Sequence, residues 1–262
     1  MAAVPRRRLA DDLRAAIDTG EIELRFQPQV SLEDGRITGV EALARWRHGE
    51  LGELGAARLF AAAARASLLP ALSRHIHSAA LAEVARWPAA LGSLNVAINV
   101  TASDLARRDF AADLLAQAAD CGVDPGRLTV EVTEHELIGD LPAAAALLAT
   151  MRAAGVTVAL DDFGSGYSSI AYLKALPLDC LKIDGGLSGD LLGTPRDQVV
   201  VRHVIAMARE LGLAVIGEGI ETEEHRVLLA AAGATHYQGF LCAAPLDSAG
   251  LAQLTEEWPC AR

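Results

Sequence analysis

The segment Val156 to Tyr167, VTVALDDFGSGY, sets two adjacent acids, Asp161 and Asp162, at the exit of an apolar run. Neighbouring carboxylates repel each other and are costly to desolvate. A hard divalent cation removes that cost, because carboxylate oxygens are what Mg²⁺, Mn²⁺ and Ca²⁺ prefer. The same pair also suits an ordinary turn, since turns favour Asp. Gly164-Ser165-Gly166 fits either a mobile loop that brings Asp162 into place or a tight turn. Ser168 and Ser169 then offer caps for a short helix.

The other polar residues of interest fall in the same kind of place. Glu41 ends an apolar stretch, Asn99 ends LNVAIN, and Glu131 ends LTVE with Glu134 just after it. Lys182 and Asp184 end LDCLKID, Glu218 ends LAVIGE, and Gln238 lies in a last short strand. One acid at a strand end is ordinarily a cap for the next helix. Several converging on one mouth would destabilise a fold unless cations neutralise them. One or two divalent metals with oxygen ligands follow. Of the 23 basic residues only Lys174 and Lys182 are lysines, so a compact ammonium is used sparingly here.

The elements that must position these residues read as follows. A helix over 6–19 precedes strands over 21–30 and 37–46, joined by the hairpin signal Asp34-Gly35, so the first two strands are expected antiparallel. Helices at 56–68 and 70–87 then lead to a strand at 94–100. Further helices at 103–121, 141–154, 168–175, 196–211, 221–232 and 247–257 alternate with strands at 128–133, 156–162, 178–183, 213–218 and 235–240. Alternating helices and apolar strands mean a parallel sheet covered on both faces. Eight strands in 262 residues favour a closed (β/α)8 barrel, whose C-terminal strand ends share one face. Residues 1–262 read as a single domain.

Composition narrows the function. A net charge of −11 argues against a broad surface for polymeric nucleic acid. Cys121, Cys180, Cys242 and Cys260 form no C-x-x-C, which excludes a zinc knuckle or a disulfide framework and fits a reducing, cytoplasmic setting. No apolar run approaches the roughly 18 residues needed for membrane insertion. His75 and His77 do not share a helix face, so a surface or satisfied core role fits them better than metal binding.

These residues, in this order, resemble the EAL domain, the bacterial phosphodiesterases of cyclic di-GMP. The resemblance runs from about residue 9 to 255. It rests on Gln27-Pro28, Glu41-Ala42-Leu43 with Arg45-Trp46, Asn99, Glu131 with Glu134, and DDFGSGYSS at 161–169. It continues through LKID at 181–184, EGIE at 218–221 and Gln238-Gly239.

The resemblance implies a modified TIM (β/α)8 barrel with its first strand antiparallel. It implies hydrolysis of c-di-GMP to linear pGpG with one or two Mg²⁺ or Mn²⁺ ions; Ca²⁺, which accepts more ligands at longer distances, is expected to inhibit. The metal ligands would be Glu41, Asn99, Glu131 and Asp161, with Asp162 and Asp184 around a second ion. Lys182 would position the attacking water, and Glu218 would act as general base or serve mainly as a metal ligand. Gln27, Arg45, Gln238 and Glu221 would hold substrate, and Glu134 would anchor the loop after Asp162. Family members often dimerise near that loop, so a homodimer and a regulatory protein partner are expectations too.

The departures lie away from the ligand positions: Arg65 where Glu is common, Leu68 where Gly is common, Gly49 for Pro, and Gly185-Gly186 where larger residues are usual. Two other functions compete. One is a c-di-GMP receptor with an EAL fold and no turnover. The other is a different metal-dependent barrel, such as a lyase of small carboxylates.

Overall fold

In Leu128–Thr133 the residues alternate between apolar and polar side chains, and that alternation becomes two faces of one strand. The computed structural model describes residues 6–137, 140–165 and 170–258. Leu128, Val130 and Val132 are at most 1% exposed and join the core shared with the surrounding helices. Thr129, Glu131 and Thr133 face the barrel interior. Each fully buried Leu or Val contributes about 1.5–3 kcal/mol. A buried, unpaired carboxylate costs several kcal/mol. The outer faces therefore hold the fold together, and the inner face is tolerable only where its polar groups are compensated.

Nine strands follow one another along the described chain: β1 Ile22–Ser31, β2 Ile37–His48, β3 Gly52–Gly55, β4 Asn95–Asn99, β5 Leu128–Thr133, β6 Thr157–Phe163, β7 Cys180–Ile183, β8 Ala214–Gly217 and β9 His236–Gln238. Their order is β1-β9-β8-β7-β6-β5-β4-β2-β3, and the β1–β2 pairing closes the ring. From β2 to β4 and on through β9, each strand of the ring runs parallel to the next. β1 runs antiparallel to both β2 and β9. This is a modified TIM (β/α)8 barrel with its first strand reversed, as expected.

Three features depart from the expected elements. β3 forms a hairpin outside the ring on β2, and the His48 ring accepts the backbone N–H groups of Glu50 and Leu51 at its turn. The single helix expected over 103–121 divides into Ala102–Leu105 and Phe110–Asp120. A Thr101–Asp104 capping box closes the first piece, and Asp104 also accepts the Ser73 hydroxyl at 2.5 Å, which fixes that turn apart from the longer helix. A further short helix, Gly185–Gly189, starts where Asp184 Oδ1 accepts the Gly186 N–H at 2.8 Å. The helix expected over 168–175 is seen at Ile170–Ala175, and the proposed caps Ser168 and Ser169 lie outside the described residues.

The barrel interior is layered. Ala159, Cys180 and Ile216 form a small apolar cluster separate from the outer core. Each lies two residues before a strand-end polar group: Asp161, Lys182 and Glu218 respectively. A strand's side-chain period of two therefore stacks the polar layer directly on this apolar one.

Candidate active site

Between β6 and β7 the register moves from Leu160 opposite Leu181 to Phe163 opposite Ile183. Asp161 and Asp162 therefore stand opposite Lys182 alone, as in a β-bulge. Asp162 takes up the extra residue with φ at 56°, in the left-handed region. Ser165 N–H then bonds the Asp162 carbonyl at 3.1 Å, so the Gly-Ser segment begins as a tight turn. Gly166 and the residues to 169 lie outside the described chain.

Lys182 is the centre of the site and is fully buried. Its Nζ lies 2.9 Å from Glu218 Oε1, 3.0 Å from Glu131 Oε1, 3.0 Å from Asp161 Oδ1 and 3.2 Å from Glu41 Oε2. An ammonium carries three hydrogens. It cannot satisfy four carboxylates at once, and one positive charge cannot balance four negative ones. Apart from its ion pair with Lys182, the buried Glu131 carboxylate has no donor among the described residues. Glu41 is better supplied. Gln238 Nε2 donates to its Oε2 at 2.7 Å, and Asn99 Nδ2 donates to its Oε1 at 3.0 Å.

The protonation behaviour follows from this imbalance. Burial raises the pKa of Glu218 to about 8, with help from the charges of Asp161 and Glu41 and against the pull of Lys182. Burial likewise raises Asp161, and Glu131 well above the ordinary carboxylate range. Burial and the Asp161 charge raise Asp162. Glu41 is the exception. Burial pushes it up, but the Lys182 charge and the amides of Gln238 and Asn99 outweigh burial and hold it low. Burial works against the Lys182 charge too, yet Asp161, Glu131, Glu218 and Glu41 together keep it an ammonium.

The donor set fits a hard divalent cation. Glu41, Glu131 and Asp161 offer carboxylate oxygens within 4.8 Å of one another, and so do Asp161, Asp162 and Glu218. Oxygen-only sites of this kind suit Mg²⁺, Mn²⁺ or Ca²⁺ and not a thiol-bound metal. The Glu131 carboxylate, held among the described residues only by its ion pair with Lys182, is what such an ion would satisfy.

Above this floor opens a cavity of about 660 Å³. Glu41, Asn99, Asp161, Asp162, Glu218 and Gln238 line it, together with Gln27, Arg45 and Glu221. Gln27 stands opposite Glu41 across the β1–β2 pair and donates its amide to the Ala243 carbonyl at 2.7 Å. Arg45 leans towards Glu53 on β3, 3.9 Å away. Glu134 is buried just past β5. Asp184 is near enough to help raise Asp162, but its carboxylate caps Gly186 and stays outside both metal-type clusters.

Several contributors gave no sequence signal. Glu136 lines the cavity and accepts the Ala102 N–H, although it reads as one more helix-start acid. His77 is buried and donates from Nε2 to the Asn99 carbonyl at 2.9 Å, a satisfied core histidine that braces a site residue from behind. Phe60 and Phe240 bring aromatic surface to the cavity.

Among the described residues no helix is long and apolar enough to cross a membrane. The sequence model of the EAL domain matches residues 10–245. A cyclic di-GMP phosphodiesterase of Pseudomonas aeruginosa is 39% identical over 251 residues, which is 95% of this chain and 42% of that protein. The structure of PaMucR phosphodiesterase in complex with c-di-GMP has a TM-score of 0.86 at 32% identity, over 93% of this chain and 99% of that one. An EAL enzyme with cAMP and cyclic-di-GMP bound has a TM-score of 0.89 at 27% identity, over 95% of this chain and 69% of that one. The chain spans less than half the length of the curated relatives it matches: 42% of the first and 29% and 31% of the next two.

Proposed function

The chain belongs to the EAL-domain family, and on that premise we propose that it hydrolyses c-di-GMP to linear pGpG in a metal-dependent reaction, lowering the level of a bacterial second messenger in the cytoplasm. The observation that carries this reading is the four-carboxylate floor around Lys182, set beneath a cavity large enough for a nucleotide. A receptor needs no such concentration of costly buried acids.

Glu41, Asn99, Glu131 and Asp161 would hold one Mg²⁺ or Mn²⁺. Asp162 would contribute to a second, and Asp184 belongs to its surroundings. When bound, such ions stabilise charge on phosphoryl oxygens and lower the pKa of water. They also let a chain of net charge −11 accept an anionic substrate.

The remaining chemistry falls to the side chains. Lys182 keeps its proton, so it acts as a donor that orients the attacking water and cannot serve as a base. Glu218, with its carboxyl near neutral pKa, is suited to take the proton of that water. Arg45 supplies a planar cation for a phosphate, and Gln27, Gln238 and Glu221 supply polar contacts for the nucleotide. Buried Glu134 would steady the turn after Asp162. The same reading takes residues 1–262 as one domain, with a homodimer and a regulatory protein partner as further expectations.

The test is product analysis. Purified protein is incubated with low-micromolar c-di-GMP and Mg²⁺ or Mn²⁺, and nucleotides are separated by chromatography. Linear pGpG that disappears with EDTA and in Glu41→Ala is the expected result. Calorimetric binding with no product would make the chain a receptor instead.

A further inference from the structure

β8 ends at Gly217, so Glu218 stands one residue beyond the strand. Its N–H still bonds the Ile183 carbonyl at 3.0 Å, but its own carbonyl has left the β8–β9 ladder, whose last pair is Gly217 with Tyr237. Gly219 follows with φ at 68°, a residue with wide backbone freedom. A carbonyl at such a junction needs a donor from elsewhere.

Ser188 supplies it. Its side chain is fully buried, and its Oγ donates to the Glu218 carbonyl at 2.5 Å. The Ser188 carbonyl in turn accepts from Nε2 of buried His225 at 2.8 Å, while its N–H bonds the Asp184 carbonyl at 2.8 Å. The same short segment also touches the other acidic turn. A Cβ on Gly164, just after Asp162 and Phe163, would come within 2.4 Å of Leu187 Cδ2, so Leu187 packs directly on that turn. Opposite Ser188's own turn, a Cβ on Gly219 would come within 3.1 Å of Gly185 Cα. Gly185-Gly186, noted above as a departure from the family pattern, thus begins a strut wedged between the Asp162 turn and the Glu218 turn.

We infer that Ser188, backed by His225, is a positioning residue for Glu218. By fixing the Glu218–Gly219 peptide plane it holds the Glu218 side chain over the Lys182 cluster. Neither Ser188 nor His225 lines the cavity, so both act through Glu218 and not on the substrate. The inference rests on the hydrolase reading for its kinetic consequence, but not for its effect on metal binding.

The test uses Ser188→Ala and His225→Leu in the full chain. Mn²⁺ binding to EDTA-stripped protein is measured by calorimetry without nucleotide, and a melting curve in EDTA confirms folding. Glu218 offers a carboxylate oxygen to the Asp161–Asp162–Glu218 group, so Ser188→Ala is expected to bind Mn²⁺ about 10-fold more weakly, the size of effect seen when a partner behind a metal ligand is lost. His225→Leu should weaken binding in the same direction. Its effect should shrink in the Ser188→Ala background, because His225 holds the Ser188 carbonyl and reaches Glu218 only through the Ser188 hydroxyl. With c-di-GMP, kcat should fall by a similar factor while KM stays within about twofold. Wild-type Mn²⁺ affinity in folded Ser188→Ala overturns the inference. If the wild-type chain itself releases no pGpG, the hydrolase reading fails, and the Mn²⁺ comparison still decides the role of Ser188.

Discussion

Lys182 Nζ lies 2.9 Å from Glu218 Oε1, and the Glu218 carboxyl nevertheless holds its proton up to about pH 8. One ammonium shared among four acids cannot ionise them all. Metal ligands must be deprotonated, so in the metal-free protein protons compete with the ion for the same oxygens. Mn²⁺ affinity should therefore rise between pH 6 and 8, by up to about tenfold per unit for each proton displaced. Calorimetry in two buffers of different ionisation heat measures the protons released. A flat affinity across that window would contradict the arrangement.

The same shift sets a stability trend. The carboxyl of Glu218 ordinarily titrates at 4.5 and does so at about 8 in the fold. Between those values the folded chain binds more protons than the unfolded one, so stability falls as pH rises. Raised pKa values at Glu131 and Asp161 act in the same sense. In EDTA the melting temperature should drop from pH 5.5 to pH 8, and Glu218→Gln should flatten the slope. Saturating Mn²⁺ should restore stability most at the higher pH.

Much of this site is legible in the sequence because strand ends in a barrel converge. Glu41, Glu131, Asp161, Lys182 and Glu218 each follow an apolar strand by pattern alone, and the fold brings them to one cluster. The bulge at Asp161-Asp162 is not legible, because apolar periodicity carries no record of a neighbouring strand's register. Asp184 looks like the other strand-end acids, yet its carboxylate caps a helix, the ordinary use of Asp at such a boundary. β3 escapes detection because Gly-Glu-Leu-Gly has no alternation to read. Ser188 escapes because its hydroxyl acts on a carbonyl 30 residues away, and no local pattern encodes that pairing.

Lys182→Met should separate charge from volume. It leaves the four carboxylates without their central cation. Removing one partner of a buried ionic cluster costs about 3–5 kcal/mol. The loss should appear as a lower melting temperature in EDTA at pH 8. It should shrink at pH 5.5, where Glu218 and its neighbours keep their protons, and in Mn²⁺. An equal loss in all three conditions would mean that packing, not charge, is what Lys182 contributes.

Calcium should bind and inhibit. Its larger shell takes six to eight oxygens at longer distances, and the carboxylates here are numerous enough to satisfy it. Tight octahedral geometry suited to phosphoryl transfer is then lost. Titrating Ca²⁺ into a Mn²⁺-supported c-di-GMP assay should lower turnover and be reversed by excess Mn²⁺. Undiminished turnover with Ca²⁺ as the only metal would refute this.

Asp162 combines a charge with a left-handed backbone at φ 56°. Asn adopts that conformation at least as readily as Asp, so Asp162→Asn removes the charge and leaves the bulge intact. Its melting temperature in EDTA should match or slightly exceed the wild type, since burial and the nearby acids disfavour the charged form. Pairing of the bulge opposite Lys182 should survive, and turnover should fall by at least the roughly 10–100-fold that follows the loss of a group behind a metal ligand. Asp162→Val loses the charge and also places a β-branched residue where left-handed backbone costs about 1–2 kcal/mol. A lower melting temperature for Val than for Asn, with equal loss of turnover, assigns the conformation to stability and the carboxylate to chemistry. Equal melting temperatures would instead mean that the bulge relaxes freely and does not fix where Asp162 stands.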